Sequence, residues 1–205
     1  MALSPDTSPL GLLRAAAGRT REQGSASLIV EFTGFELPGA GETVRETGHI
    51  DFSVGLTELG CELQASEEFY FRRGRQLRGP AERPVGPLVA GSPLWLIEVT
   101  QGVITARSEG TTWHRDVHVG CYRAVIDLVA ASDSSPYALA SPGGFSLSEL
   151  RRIPGNIMLD TQGRLRVIDV ELAGLKATLT LEGFGHAAFV NPVQWPDRVT
   201  LPPNL

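Results

Sequence analysis

Lys176-Ala177-Thr178-Leu179-Thr180-Leu181-Glu182 alternates side chains without a break: Ala177, Leu179 and Leu181 on one face, Thr178, Thr180 and Glu182 on the other. Successive side chains of a strand point to opposite sides, so this heptapeptide reads as a β-strand with one buried face. A face of each kind marks an antiparallel sheet rather than a parallel one, whose strands are apolar on both sides. The same period of two recurs upstream. Leu28, Val30 and Phe32 share a face in Ala26–Phe32, and Ile50, Phe52 and Val54 share one in Thr43–Val54. Leu59, Cys61 and Leu63 alternate in Thr57–Ala65, as do Phe69 and Phe71 in Glu67–Arg73. Short turns such as Pro38-Gly39-Ala40-Gly41 separate these runs, which predicts an antiparallel meander.

Helices interrupt the strands. Ser8-Pro9-Leu10 begins one, with Ser8 as N-cap, Pro9 in the first turn and Gly24 as the stop after Gln23. Ser92-Pro93-Leu94 repeats that start, and β-branched Val103-Ile104-Thr105 keeps the second helix short. Gly74 to Gly91 is rich in Arg, Pro and Gly and reads as a loop. Thr111–Val119 and Cys121–Val129 read as one long strand region, with the slip of its apolar face assigned to a bulge at Gly120. Ser132–Gly144 reads as a further loop, and Ser146-Leu147-Ser148-Glu149 has the capping-box spacing of a short helix. Asn156–Asp160 and Arg164–Leu172 flank Thr161-Gln162-Gly163, a hairpin loop with a glycine available for positive φ.

Composition narrows the function. Gly and Pro account for 23 and 14 of 205 residues, too turn-rich for a helical bundle. The net charge of −5 lacks the footprint of a nucleic-acid binder. No apolar run approaches a transmembrane span. The expectation is one α+β domain over residues 1–205, with 1–7 and 200–205 as flexible ends. Met1–Asp6 has neither a basic n-region nor an apolar h-region, so the sequence as written reads as cytoplasmic. An export segment outside it would place the chain in the cell envelope.

Three sets of residues bear on chemistry. His114, Asp116 and His118 would converge on one face of a continuous strand, a conceivable zinc or ferrous-iron set, with an exposed polar strand as the plainer reading. Cys121 sits mid-strand beside Arg123 with no nucleophile elbow, so it reads as structural. Cys61 and Cys121 are too few for a disulfide scaffold or a metal framework. No phosphate-loop pattern is present. Arg72, Arg73, Arg75, Arg78 and Arg83 make a basic stretch that is either solvated or a docking patch for an acidic partner. No catalytic residue and no cofactor are expected.

Gly120-Cys121-Tyr122-Arg123-Ala124-Val125-Ile126-Asp127-Leu128 resembles the Thr-His-Tyr-Arg-x-x-Val-Asp-Leu strand of the LppX/LprG lipoproteins, members of the wider LolA-like group. Ile157–Arg166 is similar to that family's Val-Trp-Val-Asp-x-x-Gly-Arg-Leu-Arg hairpin, and Phe184-Gly185 followed by Pro192 to its closing segment. The order of elements matches as well: helix, four-strand meander, Ser-Pro-Leu helix, long strand, short helix, hairpins. The resemblance implies an antiparallel sheet curled into a half-barrel, with short helices over its concave face. It also implies non-catalytic binding of a lipid or other hydrophobic molecule between sheet and helices. Periodicity alone does not separate a packed core from such a cavity. The candidate lining is Val30 and Phe32; Phe52; Leu63; Phe69 and Phe71; Ile126 and Leu128; Ile168 and Val170; Leu179 and Leu181. Trp95 is a candidate for the cavity mouth, with a packed core residue as the plainer reading. The alternative is a protein-interaction or sensor module that keeps the fold and uses its surface.

Overall fold

The computed structural model describes residues 7–37, 41–53, 56–61, 68–72, 75–78, 94–134, 147–172 and 174–186. Helix α1 (Pro9–Arg21) starts where its cap dictates: Ser8 Oγ accepts from the Gly11 N–H at 3.1 Å, and Pro9 fills the first turn. Arg19 and Arg21 lie in its last turn, favourable for the helix dipole, and Gly24 follows at φ 77°. Then come β1 (Ser25–Leu37), β2 (Gly41–Asp51), β3 (Leu56–Cys61), β4 (Glu68–Arg72) and β5 (Arg75–Arg78). Helix α2 (Leu94–Glu98) runs into a 3-10 turn, Val99–Gly102. The remainder is β6 (Val103–His114), β7 (Val117–Ile126), α3 (Leu128–Ser134), α4 (Leu147–Leu150), β8 (Ile153–Asp160), β9 (Leu165–Leu172) and β10 (Leu175–Glu182).

Among the described residues these ten strands form one antiparallel sheet in the order β5-β4-β3-β2-β1-β10-β9-β8-β7-β6. The register strings apolar side chains into rows. Val30 lies opposite Leu179, Leu179 opposite Ile168, and Ile168 opposite Ile157. A second row runs Val44, Phe32, Ala177, Val170, Gly155, Ala124. A slip of one residue at any ladder would turn a strand's apolar set to water, so burial fixes the register. The helices cover the inner face: α1 and the turn after α2 pack together, α1 also touches β6, β8 and β9, and α2 touches β9.

Several expectations need correction. The run from Thr111 to Val129 is not one strand region. It reverses at Arg115 and Asp116 (φ 44° and 65°), giving the β6–β7 hairpin in which His114 pairs with Val117. No bulge occurs at Gly120, because β7 and β8 stay in register from Val119 to Ile126. The irregularities lie on β6 instead, between Val103 and Thr105 and between Ser108 and Gly110. Leu128 is on a helix, not a strand: Asp127 Oδ1 accepts from the Ala130 N–H at 3.0 Å and caps α3, part of which was read as loop. The basic stretch contains a tight hairpin, with Arg72 opposite Arg75. The expected positions Val54, Leu63, Ala65, Ser92, Pro93 and Ser146 lie outside the described residues.

A buried carboxylate fastens the β8–β9 hairpin. Asp160 Oδ1 accepts from the N–H groups of Gln162 and Arg164, each at 3.0 Å. Its Oδ2 accepts from Arg164 Nε at 2.7 Å and Arg166 Nε at 3.0 Å. Both guanidinium groups lie over the Phe184 ring, 4.8 and 4.6 Å from its centre. The hairpin is then tied to α1: Thr20 Oγ1 accepts from the Leu165 N–H at 2.9 Å, and Arg164 Nη1 donates to Gln23 Oε1 at 3.1 Å. Gly163 takes φ 74°, and a side chain there would meet the Arg19 guanidinium. Burial by itself would raise the Asp160 pKa, but the hydrogen bonds and charge of Arg164, with the Gln162 N–H, outweigh it and hold the carboxyl below its ordinary value. A depressed folded pKa contributes stability that is present above the unfolded value of about 4 and is lost as pH falls through the folded value. Asp160→Asn should therefore cost about 3 kcal/mol at pH 7. Urea melts should show the gap between variant and parent closing as the pH drops below 4.

Candidate functional site

The inner face of the sheet gathers most of the predicted lining. Val30, Phe32, Phe52, Ile126, Ile168, Val170, Leu179 and Leu181 are all buried within one apolar cluster. Leu128 joins it from α3 and Trp95 from α2. Phe69 and Phe71 belong to β4, opposite Leu59 and Thr57, and Leu63 lies outside the described residues. The strands bring these side chains together because each contributes alternate positions to the rows already described. Leu13, Ala16 and Ala17 of α1 close over the β6–β9 side, their spacing at i, i+3 and i+4 forming one helical face. On the β1–β3 side Val44, Ile50 and Leu59 are buried as well.

Two acidic residues missed by the sequence reading belong to this region. Glu46 is fully buried on β2, opposite Val30. Its position between Val44 and Ile50 at even spacing was the available signal. Glu98, at the end of α2, is also fully buried and accepts hydrogen bonds from Arg21 Nη1 and Gln101 Nε2. This joins the last turn of α1 to α2 through a charge pair. Burial pushes the Glu98 carboxyl above its usual range, more than the hydrogen bond and charge of Arg21 pull it down. Trp95, one turn earlier in α2, is 8% exposed, and among the described residues its indole Nε1–H has no hydrogen-bond partner.

The outer face is different in kind. A groove of about 260 Å³ crosses β7 to β10 there, with charged and polar edges at Arg123, Asn156, Asp169, Glu171 and Lys176 and apolar parts at Pro154, Gly155 and Val170. Its charges are largely matched: Lys176 Nζ lies 2.9 Å from Asp169 Oδ2, and Arg123 Nε lies 3.1 Å from Glu109 Oε1.

The candidate metal set is not assembled. The turn at Arg115-Asp116 puts His118 opposite Trp113 and His114 opposite Val117, so the two imidazoles belong to neighbouring register pairs whose side chains leave on opposite faces. The ring of His118 packs edge-on against Trp113, centroids 5.4 Å apart. Among the described residues no group of three His, Cys, Asp or Glu side chains is disposed to hold a metal ion. Cys121 is a free thiol, and five strands separate it from Cys61 in the sheet. No described helix is long and apolar enough to cross a membrane.

This arrangement, one antiparallel sheet with short helices on a single face, is a known one. The chain is similar in structure to the Mycobacterium tuberculosis lipoprotein LppX, with a TM-score of 0.60 over 91% of this chain and 100% of that one, at 14% identity. It is similar also to LprF from Mycobacterium bovis, with a TM-score of 0.53 over 93% and 99% of the two chains, again at 14% identity. The fold is thus shared over nearly the whole length. No protein-family model and no curated protein matches the sequence.

The Glu98 pair supplies a test of this geometry. A carboxyl whose folded pKa is raised contributes stability below its unfolded value, about 4.3, and loses it as pH rises through the folded value. Glu98→Gln should remove that loss. Parent minus variant stability, from urea melts between pH 4 and pH 8, should fall with rising pH; a flat difference would mean that Glu98 titrates as if exposed.

Proposed function

We propose that this chain binds a lipid or other hydrophobic molecule against the inner face of its sheet and performs no chemistry on it. The observation that carries the reading is the continuous apolar surface of that face, from Val44 and Phe32 through Leu179 to Ile157, on a fold shared with the lipoprotein LppX. A sheet with helices on one side has two states available to such a surface. The helices pack down and it is core, or they stand away and the same side chains receive acyl chains. Each methylene moved from water to that surface contributes about 0.8 kcal/mol, so a single chain supplies enough for tight binding. Specificity then rests on the few polar groups buried among the apolar ones.

A second reading, a protein-interaction or sensor module, draws on Trp113. This residue is 71% exposed on β6, and a large aromatic in water is a common anchor for a partner. The two readings separate experimentally.

Organic extraction of the purified protein followed by mass spectrometry should yield a bound lipid in near-stoichiometric amount. Val44→Phe adds a ring to the inner face. With a ligand space at β2, it should abolish uptake of a fluorescent fatty acid while leaving the melting temperature close to that of the parent. If the face is closed core, the same change should instead destabilise the fold by about 1–3 kcal/mol through overpacking, with no lipid recovered from the parent.

A further inference from the structure

Resting on the second of these readings, we infer that the outer half of the β6–β7 hairpin docks a proline-rich segment of a partner protein, held as a polyproline II helix with a basic residue beside its prolines. On one side of the hairpin the register pairs are Ala106 with Ala124, Ser108 with Tyr122, Thr111 with Gly120 and Trp113 with His118. Burial falls along that series: Ala124 is buried, Tyr122 is half-buried, and Ser108, Thr111, Trp113 and His118 are exposed. None of these residues is Asp, Glu, Lys or Arg. The reverse side carries Arg107 and Arg123, both close to Glu109. One side of the outer hairpin is therefore aromatic and uncharged, and it stands in water.

Two rings on this side are set by their neighbours. His118 meets Trp113 edge-on, with 69° between the ring planes, which steadies an exposed indole. Tyr122 folds back over Gly120: a Cβ there would come within 3.0 Å of the Tyr122 hydroxyl and 3.1 Å of its ring. Positions on one side of a strand repeat at about 7 Å, so the Trp113 and Tyr122 rings stand roughly 9–10 Å apart along the hairpin. One turn of polyproline II is about 9 Å. Proline rings one turn apart can each stack on one aromatic, with the Thr111–Gly120 pair between them. The polar groups select the same ligand. A proline-rich backbone offers carbonyl acceptors and few donors. The hairpin supplies donors: the Trp113 indole N–H and the hydroxyls of Tyr122, Thr111 and Ser108, the last already accepting from the Gly110 N–H at 3.3 Å. Aromatic surfaces of this kind are a recurring means of gripping polyproline II segments. Asp116, exposed in the turn beyond Trp113, adds a charge, and Arg115 beside it is engaged by Glu182. A basic residue flanking the prolines complements Asp116, in a chain whose net charge is −5.

The test titrates decaproline, decaproline ending in arginine, a Gly-Ser peptide of equal length and maltohexaose into the full chain. Indole N–H resonances are followed by proton–nitrogen correlation spectra, the Trp113 signal being assigned by its absence in Trp113→Ala. Both proline peptides should move that signal, and the Gly-Ser peptide should not. Trp113→Ala, a surface change that keeps the melting temperature near that of the parent, should weaken both about tenfold. Gly120→Ala displaces the Tyr122 ring and should weaken both about threefold. Asp116→Asn keeps the turn, because Asn tolerates the φ of 65° found there. It should weaken the arginine-ended peptide about twofold and spare decaproline. Proline peptides that bind no better than Gly-Ser, or that bind with the Trp113 signal unmoved or with equal affinity to Trp113→Ala, would overturn the inference. Maltohexaose moving the signal where decaproline does not would overturn it in favour of a neutral glycan. The underlying reading fails separately. If proteins of a cell extract are retained by the parent and lost from Trp113→Ala while the proline peptides do not bind, docking at Trp113 stands and the proline assignment falls. If nothing retained depends on Trp113 and the peptides do not bind, both fall.

Discussion

The pairing of β1 with β10 holds the molecule together. Ser27 lies opposite Glu182 and Thr33 opposite Lys176, so residues some 150 positions apart meet along seven consecutive register pairs. On one side of this ladder lies the meander of β1 to β5, on the other the strands β10 to β6. Neither half of the sheet has a complete apolar row without it: Val30 needs Leu179, and Phe32 needs Ala177, for the rows to cross from one half to the other. Loop-closure entropy must be met before such a distant pair is rewarded, so pairings of this kind raise the contact order and slow folding. The inner face, and any site built on it, exists only once that junction has formed.

Two buried carboxylates then fix what the sheet alone leaves loose, and they do so with opposite electrostatics. Asp160 is surrounded by donors, two from the backbone and two from guanidinium groups, so its charged form is favoured despite burial. Glu98 has fewer donors and more desolvation, so its charged form is disfavoured. Both reach α1: Asp160 through the Arg164 and Leu165 contacts with Gln23 and Thr20, Glu98 through Arg21. The last turn of α1 is therefore clamped from two directions. Leu13, Ala16 and Ala17 of the preceding turns are buried beneath it, in the apolar cluster of the inner face.

Much of the sheet was legible because alternation is a direct image of a half-buried strand. Leu28, Val30, Phe32, Leu179 and Leu181 all fall on the inner face as their spacing requires. The Ser8-Pro9 start of α1 was equally plain, since a cap and a first-turn proline act locally. What failed was turn chemistry. Arg115 and Asp116 adopt positive φ without a glycine, so nothing in the local sequence announced the reversal that separates His114 from His118. The apolar string Ile126-Asp127-Leu128-Val129 looks strand-like, and only the Asp127 cap reveals that a helix begins there. The site was less legible than the fold. Apolar periodicity names the inner-face residues, but the burial of Glu46 and Glu98 and the orphaned donor of Trp95 depend on contacts from distant parts of the chain.

The two irregularities on β6 have a bearing on how this molecule behaves in a crowd. Among the described residues the sheet ends at β5 and β6, and an edge of unpaired N–H and C=O groups is a template for another chain. On β6, twelve residues long and mostly exposed, the interruptions near Ile104 and Glu109 break that template into short pieces that no straight incoming strand can follow. At the opposite edge β5 is only four residues long and bounded by Arg75 and Arg78, which limits recruitment by brevity and charge. Among the described residues, both margins of the sheet thus offer only short stretches for pairing with another copy.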